Sequence, residues 1–474
     1  MKNRDARQYT GYKLSVIKFG GKGIGPNGKN IKTIIKRVNE IGKIDNHGPI
    51  VILSAPEGIT DLAIRVGISH ADPKIPKLDP SCLFSPYIKI SERYMKGSHK
   101  DDFLAELKKC KDIVINTLKL VEPFNFIDRF RARILGYSGE ILASSALSHV
   151  FCSQGIDSCN IPIDNWPIIT DNNFENASFL RKESSRRLRF LLEPLEQKKV
   201  IFIGGFIGIT ADGIETTYER GGTDGTAVDL GILLKECFDV VVYFEKDDMV
   251  RSADPKIKGI SRKELDRIHH LSYDEAMLAG QFGMRIVNPS AIRDILDSGL
   301  DIPLYVTDTN NPKRHTVIKK EELDEAGNPI KIVTGKKDCV ILEMEKRKRD
   351  SLEDYLKYTK RYHDFLELSP YTKEGNSIAR FLLLDGEFVR SNEKDIRAFD
   401  KNSTLEYGLG AITLVGNKMA KVPGIAGRAH SALEEKEINI LDGFVQNPTS
   451  RVVIIVNENK LENSLSAIHS KRKY

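Results

Sequence analysis

The first residues suited to chemistry are Lys18, Gly20 and Gly21, which stand at the end of the apolar run 14–19. A run of this kind is typical of a buried strand, and the glycines then lie in the turn that follows it. Glycine has no Cβ, so its backbone can approach an anion closely, and the lysine adds a positive charge beside it. The three residues predict a phosphate-binding turn; a tight turn with a surface lysine is the alternative interpretation.

Two better known phosphate motifs also match this region. Residues 23–29 spell G-x-x-x-x-G-K, and the glycines at 23, 25 and 28 spell G-x-G-x-x-G. The first motif needs a Ser or Thr hydroxyl where this chain has Asn30, and a strand that runs straight into its first glycine. The second needs an acidic residue at the end of the next strand, where this chain has Ser54 and Ala55. We interpret both matches as chance in a glycine-rich loop.

Further stretches place reactive side chains near predicted strand ends and helix starts. Taken alone, Glu140 is suited to pair with a helix dipole and Asp224 to cap a helix. Small hydroxyl residues follow the second predicted strand, and cationic residues lie beside later strand ends. In chain order the candidates are Ser54, Thr60, Glu140, Arg220, Thr223, Asp224, Lys256 and Arg285.

Composition restricts the class of protein. The chain has 474 residues, of which 40% are hydrophobic and 29% charged, and its net charge of +6 is mild for this length. Basic and acidic residues are interspersed, which does not favour a nucleic-acid binder. No run approaches 18 apolar residues and the N-terminus lacks an apolar signal core, so we expect a cytoplasmic protein without membrane contact. The six cysteines form no C-x-x-C pair and are expected to be reduced.

Short apolar runs alternate with helical patterns through the first 310 residues, which is typical of a three-layer α/β domain. Residues 70–135 are rich in helical pattern and predict an insertion that covers the site. The predicted strands are 14–19, 50–55, 200–208, 240–244, 285–289 and 302–306, and the predicted helices between them are 31–43, 139–155, 227–237 and 273–283.

From residue 336 the pattern changes to two smaller α+β units. We divide the chain into domains at 1–320, 336–408 and 409–474, with a linker at 327–337. The predicted strands of the two small units are 338–345, 378–386, 411–417 and 451–458, and their predicted helices are 350–363, 390–399, 424–436 and 460–469.

Seven motifs, in this order and at similar spacing, resemble those of the aspartate kinases in the amino-acid kinase family. The resemblance covers essentially the whole chain. It implies a three-layer αβα sandwich followed by two ferredoxin-like ACT domains, which agrees with the pattern described above. The motifs are KFGGK (18–22), LSAPEGITDL (53–62), GEILA (139–143), ITDNNFENA (169–177), GFIG (205–208), RGGTDGTA (220–227) and SYDEA (272–276).

The resemblance also implies an activity, in which ATP with Mg²⁺ phosphorylates the side-chain carboxylate of L-aspartate to 4-phospho-L-aspartate. This is the first step toward lysine, threonine and methionine. Lys18 and Asp224 would be catalytic, and Mg²⁺ would be held through the nucleotide phosphates rather than by a metal site of the protein. The implied substrate-binding residues are Ser54, Thr60, Glu140, Phe206, Arg220 and Thr223, and the implied nucleotide-binding residues are Lys18, Gly20, Gly21, Glu245, Lys256 and Arg285.

The chain departs from the family pattern at several positions. Lys22 replaces a threonine, and Lys256 and Arg285 exchange the usual arginine and lysine. Residues 245–251, EKDDMVR, replace a stretch that contacts nucleoside in the family, and there Glu245 is suited either to ribose hydroxyls or to a surface turn. Two alternatives therefore stay open: an amino-acid kinase with another acceptor or nucleotide, and an amino-acid-sensing regulatory protein on a decayed kinase domain.

The second small unit resembles an ACT domain closely, with the turn Pro423-Gly424-Ile425 before a helix. Glycine there lets the carboxylate of an effector approach backbone N–H groups. The resemblance implies lysine or threonine as effector, and a homodimer or higher homo-oligomer through the ACT domains. The first unit lacks the Pro-Gly turn, and no ligand is assigned to it.

Overall fold

The computed structural model describes residues 11–45, 47–219, 221–320, 328–359, 365–446 and 451–473. Its elements are numbered here along the chain. The strands are β1 (Lys13–Phe19), β2 (Ile50–Leu53), β3 (Ser158–Asn160), β4 (Val200–Gly204), β5 (Ile207–Ile209), β6 (Glu215–Thr217), β7 (Asp239–Lys246), β8 (His270–Ser272), β9 (Leu304–Asp308), β10 (His315–Lys319), β11 (Ile332–Glu345), β12 (Phe365–Lys373), β13 (Asn376–Leu383), β14 (Thr404–Val415), β15 (Asp442–Gln446) and β16 (Arg451–Asn457).

The α-helices are α1 (Gly21–Ile24), α2 (Ile31–Gly42), α3 (Ile59–Ala71), α4 (Ser85–Tyr94), α5 (Gly97–Phe124), α6 (Asp128–Ser138), α7 (Glu140–Ser153), α8 (Arg181–Ser185), α9 (Arg189–Glu196), α10 (Gly222–Leu234), α11 (Tyr273–Gln281), α12 (Pro289–Ser298), α13 (Arg349–Tyr358), α14 (Gly386–Ser391), α15 (Glu393–Phe399), α16 (Ile425–Glu434) and α17 (Leu461–Ser470). Short 3₁₀ helices lie at Pro26–Gly28, Pro80–Leu83, Ile163–Asn165, Lys346–Lys348, Asn417–Lys421 and Glu458–Lys460.

The chain divides into two compact units. The first contains residues 1–249 and 291–320, and the second contains 250–290 and 321–474. Residues 250–290 thus group with the C-terminal part of the chain, whereas the sequence placed all of 1–320 in one domain.

The core of the first unit is a sheet in the order β3-β4-β2-β1-β7-β9-β10. Its strands are parallel except β10, which runs antiparallel to β9. Central strand β1 is buried on both faces. On one face the Lys18 amine pairs with Asp224 of α10, and on the other the backbone N–H and hydroxyl of Ser15 donate to the carboxylate of Asp45, just after α2. Helices on both faces make the three-layer αβα sandwich that the sequence predicted.

Two strands predicted within the first 310 residues differ in the structure. The run 200–208 is not one strand, because the chain turns at Gly205 and Phe206 between β4 and β5. The run 285–289 is not a strand but a turn that leads into α12, in which Ile286 N donates to Met284 O. The run is apolar because Ile286 and Val287 are buried, and a buried turn and a short strand look alike in sequence.

The sheet of the second unit has the order β12-β13-β11-β14-β16-β15. Its long strands β11 and β14 pair antiparallel along their whole length, with shifts in register between Lys336 and Ile341. One half of the pair packs with α16 and α17, in a core that contains Val333 and Leu414. The other half packs with α13, α14 and α15, in a core that contains Leu342 and Phe381. The two small α+β units therefore share one continuous sheet.

This sharing explains where the sequence boundaries depart from the structure. The predicted linker 327–337 includes the first residues of β11, and the boundary at 408/409 falls inside β14. Strands β12 and β15 were not predicted, because both are edge strands with many exposed residues and little apolar alternation. Among the residues given above as described, no helix is long and apolar enough to cross a bilayer.

Candidate functional site

The carboxyl ends of the parallel strands bring several predicted site residues to one edge of the sheet. Lys18 is the second-last residue of β1, Ser54 follows β2 and Gly205 follows β4. The ends are tied together by backbone bonds, since Ser54 N donates to Phe19 O at 3.1 Å and Gly205 N to Leu53 O at 2.8 Å. In open α/β sheets this edge is where ligands bind.

Lys18 and Asp224 form an ion pair at this edge. Lys18 Nζ lies 2.7 Å from Asp224 Oδ1, and the two side chains are 13% and 12% exposed. Asp224 stands in the first turn of α10, which begins after Gly221 at a φ of 90°. The aspartate is thus placed to orient the lysine, and the lysine amine stays close to the surface of the site. The sequence predicted both as catalytic residues, and the structure brings them into direct contact.

Two hydroxyl residues continue the site from Asp224 toward β2. Ser54 Oγ donates to Thr223 Oγ1 at 2.9 Å. Gly205 allows this approach, because a Cβ at Gly205 would lie 2.3 Å from Thr223 Cγ2. A side chain at Gly205 would therefore push the start of α10 away from the strand ends. Thr60, the other predicted hydroxyl, lies half-buried in the first turn of α3.

Glu140 is a buried carboxyl at the start of α7. Its side chain accepts from Ala55 N through Oε1 at 3.2 Å, while no partner of Oε2 is found within the described residues. The helix start can approach β4 because a Cβ at Gly204 would lie only 2.7 Å from Glu140 O. Burial raises the pKa of Glu140 to about 7, and the backbone bond from Ala55 opposes this shift. The second oxygen is free to receive a cationic group.

Phe206 occupies a strained backbone conformation in this site. Its φ of 66° lies in the left-handed region, which bulky residues rarely adopt and which costs about 1–3 kcal/mol. Such outliers concentrate at functional sites when the surroundings hold them in place. The holding contacts come from α10 and from Tyr218, which sequence reasoning did not single out. The signal that could have found them is Asp229, an acid inside the apolar run of α10.

The glycine turn after β1 is shaped for close approach. Gly21 starts the one-turn helix α1, and a Cβ there would lie 2.7 Å from Ala55 O. A Cβ at Gly20 would lie 3.6 Å from Lys18 Nζ and would take up space beside the amine. The turn therefore fits a group held against backbone N–H donors and Lys18. Its predicted role with phosphate is consistent with this geometry and stays a prediction.

Glu245 does not present a carboxylate to a ligand. Its side chain is fully buried at the end of β7, and Oε1 accepts from Arg37 Nε at 2.8 Å. Burial raises the pKa of Glu245, and the charge of Arg37 acts against that shift. No hydrogen-bond partner of Oε2 is found within the described residues, but the enclosed side chain offers a ribose hydroxyl no exposed surface. We therefore do not retain Glu245 as a ribose contact.

The geometry of this edge does not test the remaining predicted residues. Arg220 lies outside the described residues. Lys256 and Arg285 belong to the second unit and are exposed, and the effector turn 423–425 belongs to the same unit. Their assignments stay predictions. In the described part of the chain, no group of three or more His, Cys, Asp or Glu side chains is arranged to hold a metal ion.

Comparison with known families adds to this geometry. The family model described as "Amino acid kinase family" matches residues 13–308, which contain the whole edge described above. The chain belongs to the amino acid kinase family. A second match, to the ACT domain, covers residues 412–471. Both matches confirm the resemblance that the motifs indicated, and the fold class that it implied.

Relatives with names and structures are similar over most of the chain. The chain is 25% identical to Aspartokinase 2 of Bacillus subtilis (strain 168) over 347 residues, which cover 70% of this chain and 80% of that protein. The crystal structure of E. coli aspartokinase III with aspartate and ADP matches 97% of this chain and 99% of its own, with a TM-score of 0.78 and 19% identity. The structure of the same enzyme with lysine and aspartate has a TM-score of 0.66 and 20% identity.

Proposed function

We propose that this member of the amino acid kinase family is an aspartate kinase, which converts ATP and L-aspartate to ADP and 4-phospho-L-aspartate. The product would enter the routes to lysine, threonine and methionine. The observation that carries the proposal is the convergence of the Lys18–Asp224 ion pair with the buried Glu140 at one sheet edge. The names of the relatives and the aspartate and ADP bound in the E. coli enzyme support it.

Phosphoryl transfer to a carboxylate brings two anions together. The attacking carboxylate is already ionised, so no strong base is needed, and the rate depends on placement and on cations near the developing charge. An aspartate side-chain oxygen forms a bond to the γ-phosphorus, and the bond to the bridging oxygen breaks and releases ADP. Lys18 supplies the cation, Asp224 orients it, and the N–H groups of Gly20 and Gly21 contact phosphate oxygens.

The aspartate substrate is assigned to the side of the site that carries Glu140. Oε2 of this carboxyl, for which the described part of the chain provides no partner, receives the substrate ammonium, and a buried ion pair of this kind discriminates strongly against uncharged analogues. Arg220 binds the α-carboxylate, since its planar guanidinium matches a carboxylate in two bonds. The walls of this subsite are Ser54, Thr60, Phe206 and Thr223.

The nucleotide is assigned to the glycine turn and Lys18. For Lys256 and Arg285 the proposed nucleotide-binding role rests on the motif resemblance alone. Mg²⁺ is expected to arrive with the nucleotide and to neutralise phosphate charge. Asp224 is already engaged by Lys18 and is not needed as a metal ligand. The exposed Lys22 stands beside Gly21 and adds a positive charge to this part of the surface.

A hydroxamate assay tests the proposal directly. Purified protein, ATP and Mg²⁺ are incubated with L-aspartate, D-aspartate, L-glutamate and N-acetyl-L-glutamate, and acyl phosphate is trapped with hydroxylamine. We expect product with L-aspartate above all other acceptors, and none without ATP. If product formed only with another acceptor, that acceptor rather than aspartate would be the substrate.

A second candidate, an amino-acid-sensing protein without kinase activity, is favoured by one observation. The stretch that contacts nucleoside in the family is altered here, and its first residue, Glu245, is closed off by Arg37. This candidate predicts that an amino acid binds the protein while the hydroxamate assay gives no product with any acceptor. Calorimetry on the same preparation distinguishes the two.

Regulation is assigned to the turn before α16. Gly424 has a φ of 83° and precedes the first residue of this helix, so the N–H groups that follow can meet the carboxylate of an effector. Lysine is the first candidate because it is bound in the E. coli structure, and threonine is the second. We also propose that ACT domains of two chains pair, so that the protein is at least a dimer.

Replacement of Gly424 by valine should weaken effector binding about tenfold and leave uninhibited turnover unchanged. A β-branched residue at this φ costs on the order of 1–3 kcal/mol, and it would shift the turn away from the ligand. Among the described residues no atom lies within 4 Å of a Cβ at this position, so the effect comes from backbone conformation rather than from a clash. Calorimetry and inhibition by lysine and threonine measure it.

The control for this prediction is Gly427→Ala. Gly427 lies in α16 with equally open space around a Cβ, and it has no positive φ. Effector affinity should stay within twofold of the wild type in this variant. If wild-type protein binds neither amino acid, the regulatory assignment is wrong and the ACT domains serve another purpose.

A further inference from the structure

Tyr218 and Asp229 form a buried pair next to the proposed aspartate site. Tyr218 Oη donates to Asp229 Oδ2 at 2.5 Å, and Asp229 has no exposed surface. No partner of Asp229 Oδ1 is found among the residues that the structure describes. Burial raises the pKa of Asp229 well above its ordinary range, Asp294 adds to the rise, and the bond from Tyr218 opposes it. Burying an acid with one oxygen unpartnered costs free energy of folding, so a function is expected to offset that cost.

The tyrosine ring lies on one face of α10 that two glycines leave open. A Cβ at Gly222 would lie 2.2 Å from Tyr218 Cβ, and one at Gly225 would lie 3.6 Å from Tyr218 Cδ1. Gly222, Gly225 and Asp229 are spaced three and four residues apart, so they share this face. The ring therefore packs against this face of α10, and its hydroxyl bonds Asp229 at the C-terminal end of the face.

Tyr218 is linked in turn to the strained residue of the substrate site. Tyr218 N donates to Phe206 O at 2.9 Å, and Phe206 N donates to Thr226 Oγ1 at 2.9 Å. Thr226 is itself fixed to the helix, since its hydroxyl donates to Gly222 O at 3.1 Å. The left-handed Phe206 is therefore held from both backbone sides by groups anchored on α10.

We propose that Tyr218 and Asp229 are positioning residues for the aspartate site, and that their hydrogen bond holds the Phe206 turn and the chain entering α10. The proposal rests on the proposed function. Stability alone does not account for the pair, because two apolar side chains of similar volume would fill the same space without a buried acid. The pair instead fixes one direction of the Tyr218 ring, and through it the position of a turn that is strained by itself.

The test is Tyr218→Phe, which removes the hydroxyl and keeps the ring. A buried acceptor left without its donor is costly, and part of that loss should appear as a displaced Phe206 turn. We expect the KM for aspartate to rise about tenfold, with the KM for ATP and kcat within twofold of the wild type. The separate variant Asp229→Asn retains an acceptor oxygen for Tyr218 and should keep the KM for aspartate close to the wild-type value.

Tyr305→Phe is the matched control, since it makes the same change at a half-buried tyrosine on β9 that stacks on Tyr243 at 5.1 Å. A KM for aspartate in Tyr218→Phe equal to that of the control would overturn the proposal, even with a lower melting temperature. An equal rise in both KM values would also overturn it, since that indicates general loosening. Absence of turnover in the wild type would instead overturn the proposed function, and this assignment with it.

Discussion

Lys18→Ala lowers kcat for aspartate phosphorylation by a factor on the order of 10²–10³, with little change in the KM for aspartate. One preorganised charge at the reacting group is typically worth this much, because it stabilises charge that develops only in the transition state. Removal of Lys18 also leaves Asp224 without the amine that lies 2.7 Å away, so a second anion would face the incoming phosphate. Steady-state kinetics with ATP and aspartate varied separately measure the effect.

Lys29→Ala is the control for this result. Lys29 lies eleven residues further along the same glycine-rich region and is exposed, and it is the lysine of the rejected G-x-x-x-x-G-K match. Its variant should keep wild-type kinetics. If Lys29→Ala lost activity while Lys18→Ala kept it, the phosphate would belong to the other glycines.

Glu140→Gln raises the KM for aspartate by a factor on the order of 10². A buried charge left without its partner costs about 3–5 kcal/mol, and the amide cannot replace the carboxylate opposite an ammonium group. The change also removes a pH dependence. Because the pKa of Glu140 in the free protein is raised to about 7, the wild-type KM should fall about tenfold for each unit of pH rise below 7 and become constant above it.

The raised pKa of Glu140 also affects stability: as the pH rises, aspartate binding improves but the free energy of unfolding falls. Between the ordinary pKa of 4.5 and about 7, the folded protein keeps the proton of Glu140 and the unfolded chain does not. Protonation of Glu140 therefore stabilises the folded state fully below this pH range, and that part of the free energy of unfolding is lost as the pH rises through it. Denaturant melts of wild type and Glu140→Gln at several pH values measure it, since the variant lacks this slope.

Glu106→Gln is the matched control for both measurements. Glu106 lies on α5 and accepts from Ser145 of α7, the helix that begins at Glu140. In contrast to Glu140, the pKa of Glu106 is lowered, chiefly by its bond to His149. The variant should keep the wild-type KM and its pH dependence. A Glu140→Gln enzyme with unchanged KM would remove Glu140 from the aspartate site.

The sequence by itself determined the elements that carry the site and their chemical character. Three of these are local features: strand β1 with the glycines after it, the acid at the start of α7, and Thr223-Asp224 at the start of α10. Local patterns are reliable for them because burial on both faces makes a strand continuously apolar, and because helix starts favour small polar and acidic residues. Parallel strands then bring their carboxyl ends to one edge, so the placement of Lys18 and Ser54 at the same edge followed from topology.

Tertiary structure decided which of these groups are open to a ligand and which are already paired. Glu245 looked available in sequence, yet Arg37, 208 residues away, closes it. The apolar run 200–208 looked like one strand, yet Phe206 turns there because Tyr218 and Thr226 hold its backbone. The two small units looked separate, yet β11 and β14 serve both cores. In each case the deciding contact joins residues far apart in the chain, and no local pattern encodes the energy of such a contact.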